Sequence, residues 1–559
     1  MGTMGSNSVG ENAASYQVLF LNEQNLQTSI EPGTIVIMPS SDGWNDFGER
    51  ILIEIVIQPK NSPDFSSERL ELRGFFGFLE KHDNKFDTMH LRELVNREQR
   101  AIPAEKVPDY FTMLPDMESY RRIIRQLGPD ETRIVLRAMN DMVEAEDRPI
   151  GRPWLRAARE SQIFLSAFLR QSESYFTWKN AAPILRGVGF EELDRISEGV
   201  RVQFHLAGRP NAHDLKFRFS HVGDVLPSRF AIVIGKNGVG KSQTLAQIVD
   251  AALLGKPNLT ALDGDRPVFN RILGFYPSAS TSSVFPSERR KHARVWYRRF
   301  SMVSGRTRHS TSDLIIQLAR STEGIAGKSR YEIFQKSISV IEGCEELVLR
   351  KRASEHGFVS VFGLNRGGEQ ETLERYSSIN SRAEPVRMIE GKTYPLSSGE
   401  LSFLRFAALT GLYVENGTLL LFDEPETHLH PNFISQFVAL LDSLLKQTGS
   451  AAILATHSVY FVREAMEDQV TVLRSSSDRV ISAETPILKT FGADVGAISY
   501  FVFGEDRPSR LAQEVETKIV AQGASWDEIF VTYKDRVSLD LLSEIRAQVE
   551  GTDREGGGQ

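Results

Sequence analysis

Hydrophobic and polar residues alternate in two short segments near residue 200, at residues 200–206 and 215–219. A turn-forming stretch from Gly208 to Asn211 separates the two segments, so the pattern predicts an antiparallel hairpin. The next apolar segment, residues 230–234, is continuous and ends in glycine, which is typical of a buried parallel strand. We therefore expect a separate core to begin near residue 196.

The region before this core has a different pattern. Residues 33–39 and 51–58 are predicted to be strands, and the pattern from about residue 66 to 194 favours helices, interrupted at prolines such as Pro103 and Pro129. Residues 1–14 are polar and rich in Gly, Ser and Asn, which predicts disorder. Residues 15–195 are therefore expected to form an accessory α+β region.

Composition restricts the class of protein. The 559 residues are 41% hydrophobic and 25% charged, as in globular proteins that bury sizeable cores. The absence of a long apolar run or a basic-then-apolar leader predicts a cytoplasmic protein without membrane contact. A single cysteine, Cys344, excludes an internal disulfide, and the net charge of -7 requires any nucleic-acid binding to use a local patch.

A glycine-rich segment follows the predicted strand at 230–234. Residues 235–242 satisfy the spacing G-x-x-x-x-G-K-[ST] and precede a helical pattern, which predicts a P-loop that holds the phosphates of ATP. The lysine is expected to contact the β- and γ-phosphates, and the serine hydroxyl to bind Mg²⁺. The predicted ATP-binding residues are Gly235, Lys236, Asn237, Gly238, Val239, Gly240, Lys241, Ser242 and Gln243.

Two adjacent carboxylates end a second apolar strand at residues 418–424. The carboxyl ends of parallel strands are where such sheets bind ligands. We expect Asp423 to hold Mg²⁺ together with Ser242, and Glu424 to act as general base toward the attacking water.

Two further segments make a resemblance recognisable. Residues 396–400 read Leu-Ser-Ser-Gly-Glu and open a helical pattern, and residues 455–458 read Ala-Thr-His-Ser after an apolar strand. With the P-loop and residues 423–431, these segments resemble the four motifs of ABC-class ATPases of the RecF, SMC and OLD-related group, in the family's order. The resemblance covers residues 196–475.

The resemblance implies a fold and further roles. It implies an α/β ABC-type ATPase head, with a P-loop core sheet, an antiparallel β subdomain and a helical lid, besides the N-terminal α+β accessory domain. We place the lid at about residues 256–390 and a C-terminal region at 476–559. The family's signature acts in trans, so a head-to-head dimer or higher oligomer is implied. His457 would sense the γ-phosphate, and the signature residues would be Ser397, Ser398, Gly399 and Glu400.

Two positions depart from the family pattern. His430 stands where the family's D-loop usually carries an aspartate, and His428 lies close to it. Metal binding by these histidines is the less favoured interpretation, because the pattern places them in the D-loop. No glutamine of the Q-loop can be assigned after residues 271–276.

A basic segment carries no acidic residue between positions 289 and 308 and contains three aromatic residues. Such a segment can neutralise phosphates and stack on the bases of DNA or RNA. A solvated strand face and a surface for a partner protein stay open as alternatives. The candidate residues are Arg289, Arg290, Lys291, Arg294, Arg298 and Arg299.

Three kinds of ABC ATPase are candidates. A transporter motor is disfavoured because about 230 residues precede the P-loop. The alternative is a RecF/SMC-like ATPase acting on DNA in repair or chromosome maintenance, and the RecF kind fits better because residues 256–390 lack the coiled-coil pattern of SMC proteins. The favoured interpretation is the ATPase subunit of an anti-phage defence complex, similar to the Septu ATPase that works with an HNH nuclease. The 102 residues after His457 contain no D-x-D pair, histidine or cysteine, so we expect the nuclease to be a separate partner.

Overall fold

The computed structural model describes most of the chain, namely residues 16–22, 30–41, 50–60, 69–80, 88–98, 101–219, 225–277, 284–290, 293–302, 309–352, 357–427, 429–503 and 510–556. The chain divides into two compact units, residues 1–491 and 492–559. The prediction of disorder for residues 1–14 lies outside the described residues. No helix in the described ranges has both the length and the apolar character needed to cross a bilayer.

The accessory region is built on a six-stranded sheet. Its strands lie in the order β5-β1-β2-β3-β4-β6, and all neighbours are antiparallel except β1 and β2. The predicted strand pair near residues 33–58 is confirmed as β2 and β3. The strands are β1 (Gln17–Phe20), β2 (Thr34–Pro39), β3 (Leu52–Gln58), β4 (Leu70–Phe78), β5 (Ile102–Pro103) and β6 (Tyr110–Met113).

The helical expectation for residues 66–194 is wrong at β4, β5 and β6. In β4, Leu70 and Leu72 are buried while Glu71 and Arg73 are exposed, which is strand alternation. Gly74 obscures the strand pattern, and β3 packs closely against it, because a Cβ at Gly74 would lie 2.7 Å from Cδ1 of Ile55.

Helices and the sheet share one hydrophobic core in this region, which includes a group of packed phenylalanines. The break predicted at Pro129 is confirmed as a kink in α2, where Gly128 has φ 77°. The helices are α1 (Thr88–Glu98), α2 (Met117–Ala138), α3 (Met142–Asp147), α4 (Trp154–Glu160) and α5 (Ser172–Asn180), with a π-helical turn at Phe164–Phe168.

The second half contains the predicted parallel core. Seven strands lie in the order β12-β11-β19-β20-β9-β21-β22, all parallel except the last pair. β9, β19 and β20 are buried along their whole length, as continuous apolar runs require. The strands are β9 (Phe230–Gly235), β11 (Arg271–Tyr276), β12 (Trp296–Ser301), β19 (Leu419–Asp423), β20 (Ala451–Thr456), β21 (Val470–Ser475) and β22 (Ile481–Glu484).

The predicted hairpin is also confirmed. β7 (Gly199–Phe204) and β8 (His213–Arg218) pair antiparallel, and β10 (Leu259–Ala261) joins β7. This three-stranded sheet packs with the core sheet and with the helix that follows the P-loop, α6 (Lys241–Leu254), in one hydrophobic core.

We call residues 309–395 the lid. Two strands of the core sheet, β11 and β12, lie inside the 256–390 segment, so the lid begins only after them. It combines the expected helices with a hairpin of β13 and β14 and a four-stranded antiparallel sheet, β16-β15-β17-β18. Its elements are α7 (Thr311–Arg320), β13 (Gly324–Ile325), β14 (Lys328–Ser329), α8 (Arg330–Ile338), β15 (Leu347–Arg350), β16 (Phe358–Ser360), α9 (Glu369–Ser378), β17 (Val386–Ile389) and β18 (Lys392–Pro395).

Two core helices contact the lid, and a third, short helix packs beside them. The signature helix α10 (Ser398–Tyr413) packs against α7 and α8, and α11 (Pro431–Thr448) and α12 (Val459–Val462) follow β19 and β20. The second compact unit is helical in its described residues, with its own small apolar core. It contains α13 (Val495–Phe503), α14 (Arg510–Val520), α15 (Trp526–Tyr533) and α16 (Leu539–Gly556).

Candidate nucleotide-binding and hydrolysis site

The P-loop connects β9 to α6 at the carboxyl edge of the core sheet. Gly238 and Gly240 have φ of 81° and 105°, which glycine adopts without steric cost. Gly235 permits a close approach to β21, because a Cβ there would lie 2.4 Å from the carbonyl oxygen of Leu473. The loop therefore needs its glycines for its shape, and residues 236–238 and Gln243 are exposed.

A buried histidine that the sequence analysis missed supports this loop. His213 of β8 stacks on Phe204, and its Nε2 lies 3.2 Å from the carbonyl oxygen of Val239. Burial lowers the pKa of His213, an effect opposed by the Val239 contact. The hairpin therefore contributes a contact to the P-loop.

Lys241 begins α6 and is buried. Its Nζ donates hydrogen bonds to the carbonyl oxygens of Gly235, at 2.8 Å, and Lys236, at 3.2 Å. Burial lowers the pKa of Lys241, while the charges of three carboxylates act to raise it. Those carboxylates are Glu424, Glu426 and Asp423, so the P-loop lysine and the end of β19 share one electrostatic site.

Asp423 ends β19 and is nearly buried. Burial raises its pKa to about 6, and a hydrogen bond from Ser242 opposes the rise. Its Oδ1 atom has no hydrogen-bond partner among the described residues. A buried carboxylate oxygen without a donor, next to a serine hydroxyl, is a donor set that fits Mg²⁺.

No set of three or more His, Cys, Asp and Glu side chains in the described ranges is arranged to hold a metal ion. A Mg²⁺ ion at Asp423 and Ser242 would therefore need further oxygen ligands, and nucleotide phosphates commonly supply them.

Glu424 follows the strand in an uncommon backbone conformation, with φ of 47°. Its N–H donates to the carbonyl oxygen of Ala455 on β20, which ties the turn to the neighbouring strand. Its side chain is 38% exposed, so the carboxylate is accessible to water. Backbone strain of this kind is frequent at functional positions.

His457 follows β20 at the same edge, as predicted. Its Nδ1 lies 3.9 Å from Oε1 of Glu424 but 2.9 Å from Oε1 of Glu426. The same Oε1 of Glu426 accepts a hydrogen bond from the backbone N–H of His457 at 2.8 Å. The sequence analysis assigned no role to Glu426. Its position three residues after Asp423 could have marked it as a residue of the site.

The signature segment begins α10. The hydroxyl of Ser397 accepts a hydrogen bond from the N–H of Glu400, and the Glu400 carboxylate accepts one from the N–H of Ser397. This reciprocal capping box fixes the helix start. Arg387 of β17 pairs with Glu400 at 2.6 Å, while Ser397 and Ser398 are exposed and Gly399 is buried. Exposed backbone at a helix N-terminus is suited to binding an anion.

The D-loop positions are described only in part. His428 lies outside the described residues, and His430 is exposed immediately before α11. The segment in which a Q-loop residue would fall, 278–283, also lies outside them.

The arginines of the basic segment differ in their contacts and exposure. Arg290 pairs with Asp250 at 2.5 Å, and Arg299 donates to the carbonyl oxygen of Phe285 at 2.6 Å. Arg298 is exposed on β12 at the edge of the core sheet, with its guanidinium 5.6 Å from the ring of Trp296 and 5.1 Å from that of Tyr413. Arg289 is exposed, Arg294 is half-buried, and Lys291 lies outside the described residues.

Known proteins show related segments. A profile of the family described as "AAA domain, putative AbiEii toxin, Type IV TA system" matches residues 392–463, which include the signature, Asp423 and His457. Protein ea59 of Escherichia phage lambda is 21% identical over 531 residues, covering 92% of this chain and 94% of that protein. A putative ABC transporter ATP-binding protein of Vibrio vulnificus (strain CMCP6) is 22% identical over 192 residues, 31% of this chain and 32% of that protein.

The order of the four motifs agrees with these matches, and so does the sheet edge at which the P-loop, Asp423 and His457 lie. The core has the α/β fold of an ABC-type ATPase head. The chain spans about one third of the length of the Vibrio relative.

Solved structures align with the chain at low similarity. CbiO1 from Clostridium perfringens, part of the ABC transporter complex cbiONQ, gives a TM-score of 0.28 at 14% identity, covering 58% of this chain and 96% of that one. The SMC head domain from Thermotoga maritima gives 0.26 at 12% identity, covering 52% of this chain and 100% of that one. These superpositions are too distant to define the fold, which the strand order defines directly.

Proposed function

We propose that this chain binds ATP with Mg²⁺ and hydrolyses ATP at the carboxyl edge of its parallel sheet. The order of three parallel strands, β19-β20-β9, carries the proposal, because it brings the P-loop, the acidic end of β19 and His457 to one edge of the sheet. Glu424 and His457 lie within 3.9 Å of each other at the same edge.

Each part of the site has a distinct role in binding. The backbone N–H groups of the P-loop and the start of α6 face the phosphates, and Lys241 adds a positive charge. Ser242 and Asp423 would hold Mg²⁺, which when bound neutralises charge on the phosphate oxygens.

Hydrolysis needs a base near the γ-phosphate. Glu424 takes a proton from a water molecule as the water oxygen bonds to the γ-phosphorus. The bond from phosphorus to the β–γ bridging oxygen breaks, and ADP leaves with that oxygen. His457 donates a hydrogen bond to the γ-phosphate, which matches its place beside Glu424.

Two substitutions separate binding from turnover. Lys241→Ala is expected to abolish ATP binding, because it removes the charge that faces the phosphates. Glu424→Gln is expected to retain binding and to lower turnover by about 10²-fold or more, because an amide cannot accept the proton. Fluorescent-nucleotide binding and phosphate release check both, and near-normal hydrolysis by Glu424→Gln would contradict the role of Glu424.

The biological role that we propose is the ATPase subunit of an anti-phage defence complex, similar to the Septu ATPase. The description of the matching profile as a toxin of a type IV toxin–antitoxin system supports this proposal, as does the match with a phage protein. ATP state would control a separate nuclease, with an HNH-type partner favoured. A RecF-like or SMC-like ATPase acting on DNA is the alternative.

Cleavage assays test this arrangement. The purified chain with Mg²⁺ and ATP is expected to leave plasmid DNA intact, while the chain co-expressed with its neighbouring genes is expected to purify with a nuclease. Cleavage by the purified chain that a point substitution within it abolishes would contradict the separate-partner proposal.

A further inference from the structure

The roles proposed for Glu424 and His457 do not explain why the neighbouring Glu426 side chain is buried. Its side chain is 8% exposed, and one oxygen, Oε1, contacts both the backbone N–H and the Nδ1 of His457. The other oxygen, Oε2, has no hydrogen-bond partner among the described residues. Burying a carboxylate without full pairing costs stability, so such a group is often kept for function.

The contact with Nδ1 determines the hydrogen-bonding state of the imidazole. A carboxylate oxygen 2.9 Å away repels the lone pair of an unprotonated nitrogen, so we assign the proton of a neutral His457 to Nδ1 and the acceptor to Nε2. A protonated ring keeps the same Nδ1 contact and donates from Nε2. In both states Nε2 stays free of Glu426 for a contact with phosphate or water.

The same contact affects Glu424. Nδ1 is 1.0 Å closer to Glu426 than to Glu424, since the two separations are 2.9 and 3.9 Å. A direct ion pair between His457 and Glu424 would occupy the oxygen that must accept the proton of water. Glu426 therefore binds the histidine and leaves the Glu424 carboxylate available.

We propose that Glu426 is a positioning residue for ATP hydrolysis: it holds the His457 ring and keeps it from pairing with Glu424. This inference rests on the proposed ATPase function. It assigns Glu426 no direct contact with the reacting atoms.

A purely structural role for Glu426 makes different predictions. If Glu426 only fixed the turn after β20, its loss would lower stability and add to the effect of losing His457. If it acts through the His457 ring, its loss has no further effect on turnover once that ring is gone.

Four variants form the test: Glu426→Ala, Glu426→Gln, His457→Ala and the double variant Glu426→Ala with His457→Ala. We expect Glu426→Ala to lower kcat about tenfold to a hundredfold, the usual loss when a supporting partner is removed, with KM for ATP nearly unchanged. Glu426→Gln keeps an oxygen acceptor for both His457 groups, so most of kcat should return. The double variant should match His457→Ala alone.

Controls keep the outcomes distinct. Glu464→Ala removes a nearby glutamate whose carboxylate bonds to Ser435, and it should leave turnover unchanged. If Glu426→Ala does not fold, Glu426→Asp shortens the side chain by one methylene and should show the same loss of kcat. Wild-type kcat in the variant that folds, or an additive loss in the double variant, overturns the inference. Absence of turnover in the wild type, with normal folding, overturns the ATPase proposal itself and the inference with it.

Discussion

The Arg121 guanidinium is completely buried and contacts Glu191 at 2.6 Å and Glu415 at 2.7 Å. Burial alone would lower the pKa of Arg121, but these two carboxylates raise it, so the arginine stays charged. Glu415 follows the signature helix α10, two residues after its end, and also pairs with Arg330 of the lid at 3.2 Å. One ion network therefore joins the accessory region, the lid and the loop that leads to β19.

Removing Arg121 should destabilise the protein strongly. Arg121→Met leaves Glu191 and Glu415 buried with fewer partners, and we expect a loss of about 3–5 kcal/mol in the free energy of unfolding. Arg125→Met is the matched control, because its pair with Glu118 is partly exposed and should contribute about 1 kcal/mol or less. Urea unfolding followed by circular dichroism measures both, and equal stability of the two variants would contradict this account.

The motifs of the sequence predicted where the residues of the candidate site lie relative to the strands. Asp423 ends one predicted strand, His457 follows another, and Lys241 and Ser242 begin the helix after the P-loop, so one parallel sheet brings all four to the same edge. Glu426 and Arg121 were not predicted, since their partners lie 31 and 294 positions away in the sequence. Contacts at such distances depend on tertiary packing, which local patterns do not encode.

Strands with continuous apolar runs were predicted well at the element scale. β9, β19 and β20 are buried on both faces, so their patterns are unambiguous. β4 was missed because two glycines break its pattern, although β3 packs closely against one of them. For β12, a solvated strand was one of the interpretations left open, and its position at the sheet edge followed only from the strand order.

The edge strand β12 gives the sharpest test of the nucleic-acid hypothesis. Arg298 is the suitable position, because Arg299 has a structural hydrogen bond to Phe285 whereas Arg298 is exposed beside Trp296. If this face binds DNA, Arg298→Glu should weaken affinity and reduce the slope of log affinity against log salt by about 1. Fluorescence anisotropy across a salt titration measures this effect.

The control is Arg186→Glu, an exposed arginine of the accessory region that makes the same change in net charge. Equal weakening by the two variants would indicate a general charge effect. Unchanged binding by Arg298→Glu would favour a solvated face or a protein-binding surface.

The proposed active site has two halves, the P-loop and the signature, which lie far apart in the sequence. The P-loop precedes α6, and the signature begins α10 after the lid, with Ser397 and Ser398 exposed. In the ABC-class resemblance these halves meet across two copies. We therefore propose a head-to-head dimer in which each site takes its signature from the partner copy.

Mixing two inactive variants tests this dimer. Lys241→Ala inactivates the P-loop half, and Ser397→Asp places a negative charge where the signature would meet the γ-phosphate. Aspartate is a good N-cap, so α10 should keep its start, whereas arginine or alanine at this position would cost about 1 kcal/mol of capping. Each variant alone should be inactive. A mixed dimer contains one site with both halves intact, so turnover should return to about half of the wild-type rate per heterodimer.

Differently tagged copies purified in tandem isolate the heterodimer. A pair of Lys241→Ala and Glu424→Gln is the control, because both changes lie in the same half of the site and no intact site can form. Recovery in the first pair and none in the control would establish a shared site. If verified heterodimers of the first pair stay inactive, the signature of one chain does not complete the site of the other.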